Sequence, residues 1–326
     1  MHVLITGGAG FIGGHLAEAL IGRGDSVTAL DDLSTGNMRN LAAVHNHPAL
    51  EFINADVVRD AQLVRNCVRQ ADAVIHLAAA VGVDLVVKEP ARTITTNVHG
   101  TENVLAPAAE FGKRIIIAST SEVYGKSLHD KFSETDDLVI GASIHSRWSY
   151  ACSKLLDEFL LMAYCQSAQL PGTVVRFFNT VGPRQTGRYG MVIPRFVFAA
   201  LNGTPLQVYG DGEQSRCFCH VYDVVRALLL LLDNENTYGE VYNIGSDESI
   251  TIRQLAERVI SILGSTSTIE LIPYDTAYAA GFEDMRRRRP DTAKISALTG
   301  WAPEFSLDRI ISDVAAEIRS RNGEDA

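Results

Sequence analysis

Short apolar runs alternate with longer amphipathic segments through the first half of the chain. Runs rich in β-branched residues predict strands at residues 2–6, 26–30, 51–54, 73–77 and 114–118. The runs VIHLA and RIIIAS are apolar at successive positions, which is typical of strands covered on both faces. The segments between the runs have helical spacing. This alternation predicts an α/β fold with a doubly wound parallel sheet.

The pattern changes after Asn179. A helix that starts near Tyr150 and a strand at 173–178 complete the first half, and the later loops are richer in Gly and Pro. Predicted helices at 191–201, 221–232, 251–263 and 307–319 alternate there with short strands at 206–209 and 241–244. We therefore expect a larger domain over residues 1–179 and a smaller α/β portion over 180–326, parts of which return to the larger domain.

Composition and charge exclude several classes of protein. The chain has 326 residues, 46% of them hydrophobic, as in ordinary globular proteins. Its net charge is −10 and its largest basic cluster is the run of arginines at 286–289, which argues against binding to nucleic acid or membranes. The most apolar run, 227–232, is far too short for a membrane span. The five cysteines are not spaced as in a disulfide framework, and the N-terminal segment lacks the features of a signal peptide. Both observations predict a cytoplasmic protein.

A glycine motif follows the first predicted strand. Gly7, Gly10 and Gly13 form the pattern G-x-x-G-x-x-G at the start of a predicted helix. Glycines there allow a tight turn and let the backbone approach a pyrophosphate, which the helix N-terminus stabilises. Asp31 ends the second strand about 20 residues on, where a carboxylate accepts from ribose hydroxyls and repels a 2′-phosphate. The motif predicts NAD rather than NADP, and Asp56 is a candidate for binding the adenine amine.

A tyrosine and a lysine mark a candidate catalytic site. Tyr150 and Lys154 are four residues apart on a predicted helix and therefore project from one face. A neighbouring ammonium and a positive nicotinamide both favour the phenolate, so Tyr150 is a candidate base for a hydroxyl whose carbon loses hydride. Thr120 lies in STSEVYG at the end of the fifth strand, the edge where open α/β sheets bind ligands. We expect its hydroxyl to hold the reacting oxygen near Tyr150.

The sequence CFCH at 217–220 raises the question of a metal. Alternate residues of an extended strand face opposite ways, and no second pair of ligands is present in the sequence nearby. We therefore expect no metal site.

Six segments, in order and spacing, resemble one family. TGGAGFIG, STSEVYG, YACSK, RFFNTVGPR, VYGDGEQSR and RRRRPD are similar to motifs of the extended short-chain dehydrogenase/reductase family, and within it to nucleotide-sugar epimerases, dehydratases and decarboxylases. The resemblance implies a Rossmann domain that binds NAD and a smaller C-terminal portion that binds a UDP-sugar. It also implies a homodimer through helices around 95–111 and 150–166, where Leu155, Phe159 and Met162 suit either a dimer interface or the chain's own core.

The resemblance implies roles for individual residues. Thr120, Tyr150 and Lys154 become the catalytic trio. Ser121 would bond the sugar, and Glu122 would orient the sugar ring or a water molecule. The implied NAD-binding residues are Gly7, Gly10, Phe11, Ile12, Gly13, Asp31, Asp56, Val57, Leu77, Ala78, Ala79, Asn97, Tyr150 and Lys154. The implied substrate-binding residues are Asn179, Arg184, Arg188, Tyr209, Arg216 and Arg288. Among them, Arg216 and Arg288 would hold the pyrophosphate, and Arg184, Arg188 or Arg288 would be the cation that stabilises an enolate.

The triplet at 120–122 bears on the reaction. Enzymes of this group first oxidise the C4 hydroxyl of the sugar, and a few residues then decide the next step. The triplet Thr-Ser-Glu resembles UDP-glucuronate decarboxylases, whereas dehydratases of the dTDP-glucose type usually carry Asp at its centre. The segment SRWSYACSK, with Arg147 and Trp148 just before Tyr150, further resembles the decarboxylase that supplies 4-amino-arabinose for lipid A. We expect decarboxylation of UDP-glucuronate to a UDP-pentose or UDP-4-keto-pentose.

Other functions remain open at this point. A UDP-hexose or UDP-uronate 4-epimerase would return hydride to the other face of the keto-sugar, and the segments GPRQ and MVIPRF are compatible with it. GDP-mannose 4,6-dehydratases share the triplet Thr-Ser-Glu, so a nucleotide-sugar 4,6-dehydratase is a further alternative. Outside enzymes, an NAD-sensing regulatory protein is disfavoured because such sensors generally lose the Tyr/Lys pair.

Overall fold

The computed structural model describes residues 1–82, 86, 88–187, 191–273 and 285–324. Over these ranges the central sheet has seven strands, each parallel to its neighbours. The strands are β1 (His2–Thr6), β2 (Ser26–Asp31), β3 (Leu50–Asn54), β4 (Ala73–His76), β5 (Arg114–Thr120), β6 (Gly172–Phe177) and β11 (Glu240–Ile244). Their order is β3-β2-β1-β4-β5-β6-β11. The predicted doubly wound parallel sheet is confirmed.

Helices cover both faces of this sheet. Among the described elements of the first half are α1 (Phe11–Gly22), α2 (Ala61–Gln70), α3 (Pro90–Glu110) and α4 (Trp148–Ala168). Apolar residues of α1 and of α6 (Val221–Leu232) pack on one face of the sheet, and those of α2, α3 and α4 pack on the other. Because the central strands are buried on both faces, their sequences are apolar at successive positions rather than alternating.

The second half of the chain builds a smaller layer with its own apolar core. There α5 (Val192–Leu201), α7 (Ile252–Leu263) and α9 (Leu307–Glu324) pack around short strand pairs. The pairs are β7 (Thr180–Val181) with β10 (Cys219–His220), β8 (Leu206–Tyr209) with β13 (Ile269–Ile272), and β9 (Ser215–Cys217) with β12 (Ser249–Thr251). A short helix, α8 (Ala293–Thr299), contacts β11. Among the described residues, 3-10 helices span Met38–Leu41, Ser121–Tyr124 and Glu235–Thr237.

The sheet also takes elements from the second half. β11 pairs with β6, with Tyr242 opposite Val175, and α6 packs against α1. The final helix α9 continues to Glu324, beyond the end predicted at residue 319. Within the described ranges, no helix has the length and apolarity that crossing a membrane requires.

Two glycines allow β1, α1 and the loop after β4 to approach closely. Gly7 has a φ of +71°, and a Cβ there would lie 2.8 Å from the backbone nitrogen of Ala78. A Cβ on Gly13 would overlap the carbonyl oxygen of Gly7. The turn therefore has no room for a side chain at either position, and α1 starts directly against the end of β1.

We predict that Gly13→Ala destabilises the fold by about 1–3 kcal/mol, because the added methyl group overpacks the turn. Gly22→Ala is the matched control in the same helix. No atom lies within 4 Å of a Cβ at Gly22, and alanine stabilises a helix by about 0.5–1 kcal/mol relative to glycine. Chemical denaturation of both variants measures the difference. Equal stability of Gly13→Ala and the unmodified protein would contradict the expected overlap.

Candidate active site

A cavity of about 940 Å³ follows the carboxyl edge of the parallel sheet. Its wall is made by the residues that come directly after β1 to β6, and it continues into the smaller layer as far as Arg216. The chain order of the strands reverses at β1, with β2 on one side and β4 on the other. Such a reversal separates the loops above the sheet and opens a crevice for ligands. Most residues predicted to form the site line this one cavity.

The glycine turn forms one end of the cavity. Helix α1 begins at Phe11 after Gly10, without a side-chain cap, and its first-turn residues Phe11, Ile12 and Gly13 line the cavity. The free N–H groups of a first helical turn attract anions. Asp31 lies beside this turn, where its carboxylate accepts from the backbone N–H of Ala9 at 3.0 Å.

Asp31 is tied to the backbone by both of its oxygens. One accepts from Ala9 and the other accepts from Leu33 N–H at 2.8 Å. Burial raises the pKa of Asp31, and these two backbone hydrogen bonds oppose that rise. A carboxylate oxygen can accept more than one hydrogen bond, so Asp31 keeps capacity for the hydroxyls of a ligand. The remaining predicted cofactor residues that line the cavity are Asp56, Val57, Leu77, Ala78 and Ala79.

Two predicted cofactor residues are engaged with the protein itself. Asp56 lines the cavity, but one of its oxygens accepts from Val58 N–H at 2.7 Å and from Arg59 N–H. Asn97 does not line the cavity. It is fully buried on α3, accepts from Ala80 N–H at 2.8 Å and donates to the Ser153 hydroxyl at 3.0 Å. Asn97 therefore supports the loop after β4 from behind rather than forming the cavity wall.

The predicted catalytic residues converge on the middle of the cavity. Thr120 ends β5, Ser121 and Glu122 begin the following 3-10 helix, and Tyr150 and Lys154 occupy successive turns of α4. All five line the cavity. The hydroxyl of Thr120 accepts from Glu122 N–H at 3.2 Å, which links the end of β5 to the 3-10 helix. Thr120 and Tyr150, which are 30 positions apart in sequence, come together because β5 pairs with β6 and α4 packs against the sheet.

The charge on Lys154 is paired within the protein. Its ammonium lies 2.7 Å from the carboxylate of Asp157, and both side chains are nearly inaccessible. Burial raises the pKa of Tyr150, and the charges of Glu122 and Asp157 raise it further. Hydrogen bonding to Thr120 and the charge of Arg288 act in the opposite direction. That Lys154 and a positive nicotinamide together favour the phenolate of Tyr150 stays a prediction.

Glu122 faces two guanidinium groups. Arg288 donates to its carboxylate at 3.2 Å, and Arg147 lies 4.0 Å from the same oxygen. The side chain of Arg147 is 7% exposed and lies over the ring of Trp148. Arg147 contributed to a resemblance in sequence but was not predicted as a site residue. Its position three residues before Tyr150, at the start of α4, was the available signal.

The structure distinguishes Arg288 from its three neighbours. Arg286 pairs with Asp211, Arg287 with Asp130 and Arg289 with Asp247, all at the surface. Arg288 lines the cavity and donates to Glu122 beside Tyr150. Arg288 therefore lies beside the predicted catalytic residues, and both of its predicted roles, holding the pyrophosphate and stabilising an enolate, stay predictions.

The smaller layer supplies the far end of the cavity. Asn179, Tyr209 and Arg216 line it. The amide of Asn179 donates to the carbonyl of Cys217 at 2.8 Å, which holds Asn179 against β9. The ring of Tyr209 lies under the guanidinium of Arg195, 4.4 Å from its centre. Arg195 also lines the cavity and was not predicted.

Two further arginines were predicted to contact the substrate. Arg184 lines the cavity, but its guanidinium makes two hydrogen bonds of 2.7 Å to Glu18 on α1 and a third to the carbonyl of Asn40. The structure thus directs Arg184 to α1 and not to the sugar-reacting region. Arg188 lies outside the described residues.

A comparison with models of protein families agrees with the sheet and the cavity described above. The model of the GDP-mannose 4,6-dehydratase family matches residues 4–314. The chain belongs to this family. It is thereby a member of the extended short-chain dehydrogenase/reductases, as the six sequence motifs predicted.

Within this family, decarboxylases are prominent among the relatives. The chain is 42% identical to UDP-N-acetyl-alpha-D-glucosaminuronate decarboxylase of Bacillus cytotoxicus over 307 residues, which cover 94% of each chain. It is 36% identical to UDP-glucuronic acid decarboxylase 1 of Arabidopsis thaliana over 321 residues, covering 98% of this chain and 70% of that one. A solved structure of UDP-glucuronic acid 4-epimerase from Bacillus cereus, in complex with UDP-glucuronic acid and NAD, superimposes with a TM-score of 0.88. It is 27% identical and covers 98% of this chain and 100% of the other.

Proposed function

We propose that this family member is an NAD-dependent decarboxylase of a UDP-uronate. Its substrate would be UDP-glucuronate or the 2-acetamido counterpart, and its product a UDP-pentose or UDP-4-keto-pentose. The observation that carries the proposal is the convergence of Arg147 and Arg288 on Glu122, beside Tyr150. Guanidinium groups bind carboxylates and stabilise developing negative charge. The two decarboxylase relatives support the same reaction.

NAD fits the end of the cavity formed by the glycine turn. A Cβ at Gly7 or Gly13 would occupy the space needed for the close turn, and the uncapped start of α1 suits a pyrophosphate. Asp31 would accept from the ribose hydroxyls. When bound, NAD accepts hydride from C4 of the sugar and can return it after the second step. Relatives in this family have been solved with NAD.

The first step is proton removal from the C4 hydroxyl. Tyr150 would take this proton while hydride leaves C4, and Thr120 would hold the reacting oxygen. The ionic bond between Lys154 and Asp157 fixes Lys154 one turn below Tyr150. The product of this step is a C4 ketone, which makes the carboxylate on C5 a β-keto acid.

The second step breaks the bond between C5 and its carboxylate. Carbon dioxide leaves, and the electron pair of that bond passes to the C4 oxygen as an enolate. Arg288, which donates to Glu122 beside Tyr150, would stabilise this negative charge. Glu122 would orient the sugar ring or the water that protonates C5, and Ser121 would bond the sugar. The charge of Arg147 on the other side of Glu122 would restrain that carboxylate.

Product masses test the proposed reaction. The purified protein would be incubated with UDP-glucuronate, UDP-N-acetylglucosaminuronate and UDP-glucose, and the products weighed by mass spectrometry. Loss of carbon dioxide from a uronate supports decarboxylation. Unchanged mass with a new stereoisomer means epimerisation, and loss of water means dehydration.

A UDP-uronate 4-epimerase is the second candidate. It is favoured by the similarity to the Bacillus cereus epimerase, whose structure contains UDP-glucuronic acid. Both reactions share the first step at Tyr150. They differ at C5, because a decarboxylase breaks the bond from C5 to the carboxylate and a 4-epimerase does not. Substitutions of residues proposed to act at C5 therefore distinguish the two reactions.

Tyr150→Phe should reduce turnover by about 10²–10⁴. The phenol acts only on the moving proton, so NAD and UDP should bind nearly as well as in the unmodified enzyme. Turnover is measured with the substrate identified by mass spectrometry, and binding by calorimetry. A turnover rate close to that of the unmodified enzyme would exclude the proposed first step.

Glu122→Gln should slow release of carbon dioxide far more than oxidation at C4. The carboxylate is paired with Arg288, and we propose that C5 of the sugar reacts beside this pair, so loss of the charge would disturb the second step. Single-turnover experiments follow NADH absorbance for the first step and released carbon dioxide for the second. If both steps keep their rates with UDP-glucuronate, the decarboxylase proposal loses its principal residue.

The arginine run provides a matched control for this experiment. Arg288→Ala should show the same selective loss of carbon dioxide release. Arg287→Ala should leave both steps unchanged, because its side chain is 68% exposed and pairs with Asp130 at the surface. Equal effects of the two substitutions would indicate a general effect of charge rather than a local role.

We further propose a homodimer formed by α3 and α4. On α4, Leu156 and Phe159 are 50% and 65% exposed and lie on one face, and Ile94 on the neighbouring α3 is 44% exposed. Leu155 and Met162, which the sequence analysis also considered, pack partly into the chain's own apolar clusters. We place the enzyme in the cytoplasm because all five cysteines are free thiols.

Phe159→Glu should convert the dimer to a monomer at micromolar concentration, because a charge on the shared apolar face would be buried without a partner. Sedimentation velocity measures the change. Leu128→Glu is the control, since Leu128 is 96% exposed on a loop outside α3 and α4. A monomer in the unmodified protein would overturn the proposed interface.

A further inference from the structure

A buried asparagine on β11 joins two segments that lie behind the proposed catalytic residues. Asn243 is fully buried and lies outside the wall of the cavity. Its side-chain amide donates to the carbonyl of Phe132 at 2.9 Å and to the carbonyl of Asp291 at 3.2 Å. Its side-chain oxygen accepts from the hydroxyl of Tyr124 at 2.8 Å. One side chain thus ties β11 to the loop before α4, to the segment before α8 and to the 3-10 helix after β5.

The segments that meet at this amide carry the two members of the pair Glu122–Arg288. Glu122 and Tyr124 lie two residues apart in the same 3-10 helix. Arg288 lies three residues before Asp291, whose N–H donates to the carbonyl of Phe132 at 2.8 Å. The hydrogen bond of 3.2 Å from Arg288 to Glu122 therefore spans two backbone segments that are joined behind it by the buried amide.

The hydrogen-bond partners fix the orientation of the Asn243 amide. Carbonyl groups only accept hydrogen bonds, so its NH2 group must face Phe132 and Asp291. The Tyr124 hydroxyl accepts from the guanidinium of Arg176 at 2.9 Å and directs its proton to the oxygen of Asn243. An amide supplies the two donors and the acceptor that this place requires. A carboxylate there would set an oxygen against two carbonyl oxygens.

Apolar packing surrounds these hydrogen bonds. The rings of Tyr124 and Phe132 stack with their centres 4.7 Å apart, and Phe178 and Met285 belong to the same buried cluster. Polar groups that lose a partner in such surroundings are costly, because water does not replace the partner. The segment that carries Arg288 would therefore shift if the amide of Asn243 were lost.

The arginines on either side of Arg288 hold this segment less firmly. Their ion pairs with aspartates are formed at the surface by Arg286, Arg287 and Arg289. Exposed ion pairs contribute little, because water and salt screen them and long side chains lose entropy in forming them. The buried amide is thus the attachment that best defines where the guanidinium of Arg288 lies.

We propose that Asn243 is a positioning residue for the second chemical step, because it sets the place of Arg288 relative to Glu122. The inference rests on the proposed decarboxylation, in which Arg288 would stabilise the enolate and Glu122 would orient the sugar ring or a water molecule. A displacement of about 1 Å in such a site costs up to about 100-fold in rate. The first step takes place at Tyr150 and uses neither member of the pair. Loss of the amide therefore slows release of carbon dioxide far more than oxidation at C4.

The test compares the two steps in Asn243→Asp, which keeps the shape of the side chain and removes its donors. In single turnovers with a UDP-uronate, release of carbon dioxide should slow at least about tenfold more than formation of NADH. Tyr124→Phe removes one of the three hydrogen bonds and keeps the ring. It should show a smaller selective effect in the same direction. Equal slowing of both steps in these variants would overturn the proposal.

Thr173→Val is the matched control on the same pair of strands. Thr173 is fully buried on β6, opposite Glu240 at the start of β11, and its hydroxyl donates to the carbonyl of Thr237 at 2.9 Å. The substitution removes a buried hydrogen bond at the end of the strands away from the cavity. Any slowing should then be equal in the two steps. A selective loss of carbon dioxide release in Thr173→Val would refute a local role of Asn243.

A combination with Arg288→Ala supplies a measurement that a merely structural role would not change. If Asn243 acts through Arg288, Asn243→Asp adds no further selective loss when Arg288 has already been replaced. Substitutions that act independently have additive effects on the free energy of activation, whereas those in one chain of contacts do not. Full additivity of the two selective losses would contradict the proposal.

Crystal structures of the variants separate this inference from the proposed reaction. In Asn243→Asp the guanidinium of Arg288 should lie beyond hydrogen-bond reach of Glu122, more than about 3.5 Å away. An unchanged contact in this variant refutes the positioning role. If no UDP-uronate loses carbon dioxide, the proposed function fails, while the contact still tests the role of Asn243. If thermal unfolding shows that Asn243→Asp does not fold, Tyr124→Phe takes its place in each experiment.

Discussion

Parallel pairing around β1 is the constraint on which the site depends. β1 pairs with β2 on one side and with β4 on the other, so the loops after all three strands leave from one edge. The turn after β1 then meets the loop after β4 so closely that only glycine fits at Gly7. The carboxylate of Asp31 at the end of β2 fastens to the same turn through Ala9 N–H. Three segments separated along the chain thus form one wall of the cavity.

The helix α4 carries most of the side chains that we propose for the reaction, opposite this wall. Arg147 immediately precedes it, and Tyr150, Lys154 and Asp157 follow on its successive turns. Its inner face also bears Glu158, whose buried bond to Arg176 on β6 attaches the helix to the sheet. Because a helix is rigid over such distances, the separation of these groups changes little unless the whole helix moves. The reacting region therefore rests on secondary structure rather than on loops.

Charges in the depth of the site are arranged as pairs across different elements. Lys154 meets Asp157, Arg176 meets Glu158, and Arg288 meets Glu122. Unpaired buried charges are costly, so each group constrains its partner's position as well as its ionisation. The link between Glu122 and Arg288 joins the end of β5 to the segment before α8. This link brings a cation from the C-terminal region to the proposed catalytic residues.

The sequence alone determined the features that depend on short-range geometry. Strand and helix periodicity predicted the parallel sheet, the glycine spacing predicted the turn before α1, and the interval of four residues placed Tyr150 and Lys154 on one face. Asp157, three residues after Lys154 on the same helix, carried a similar signal that the sequence analysis did not use. These patterns are visible in the sequence because neighbours along a helix or strand are neighbours in space.

Only the tertiary structure decided which distant side chains become partners. It directed Arg184 to Glu18 on α1, Asn97 to the back of the loop after β4, and Arg288 to Glu122 across 166 residues of chain. It also placed Arg147 beside Glu122, which no local pattern required. Long arginine side chains reach several candidate partners, and the choice among them is made by the packing of whole elements. That packing depends on contacts between segments far apart in sequence, so the partners of these charges could not be read from local spacing.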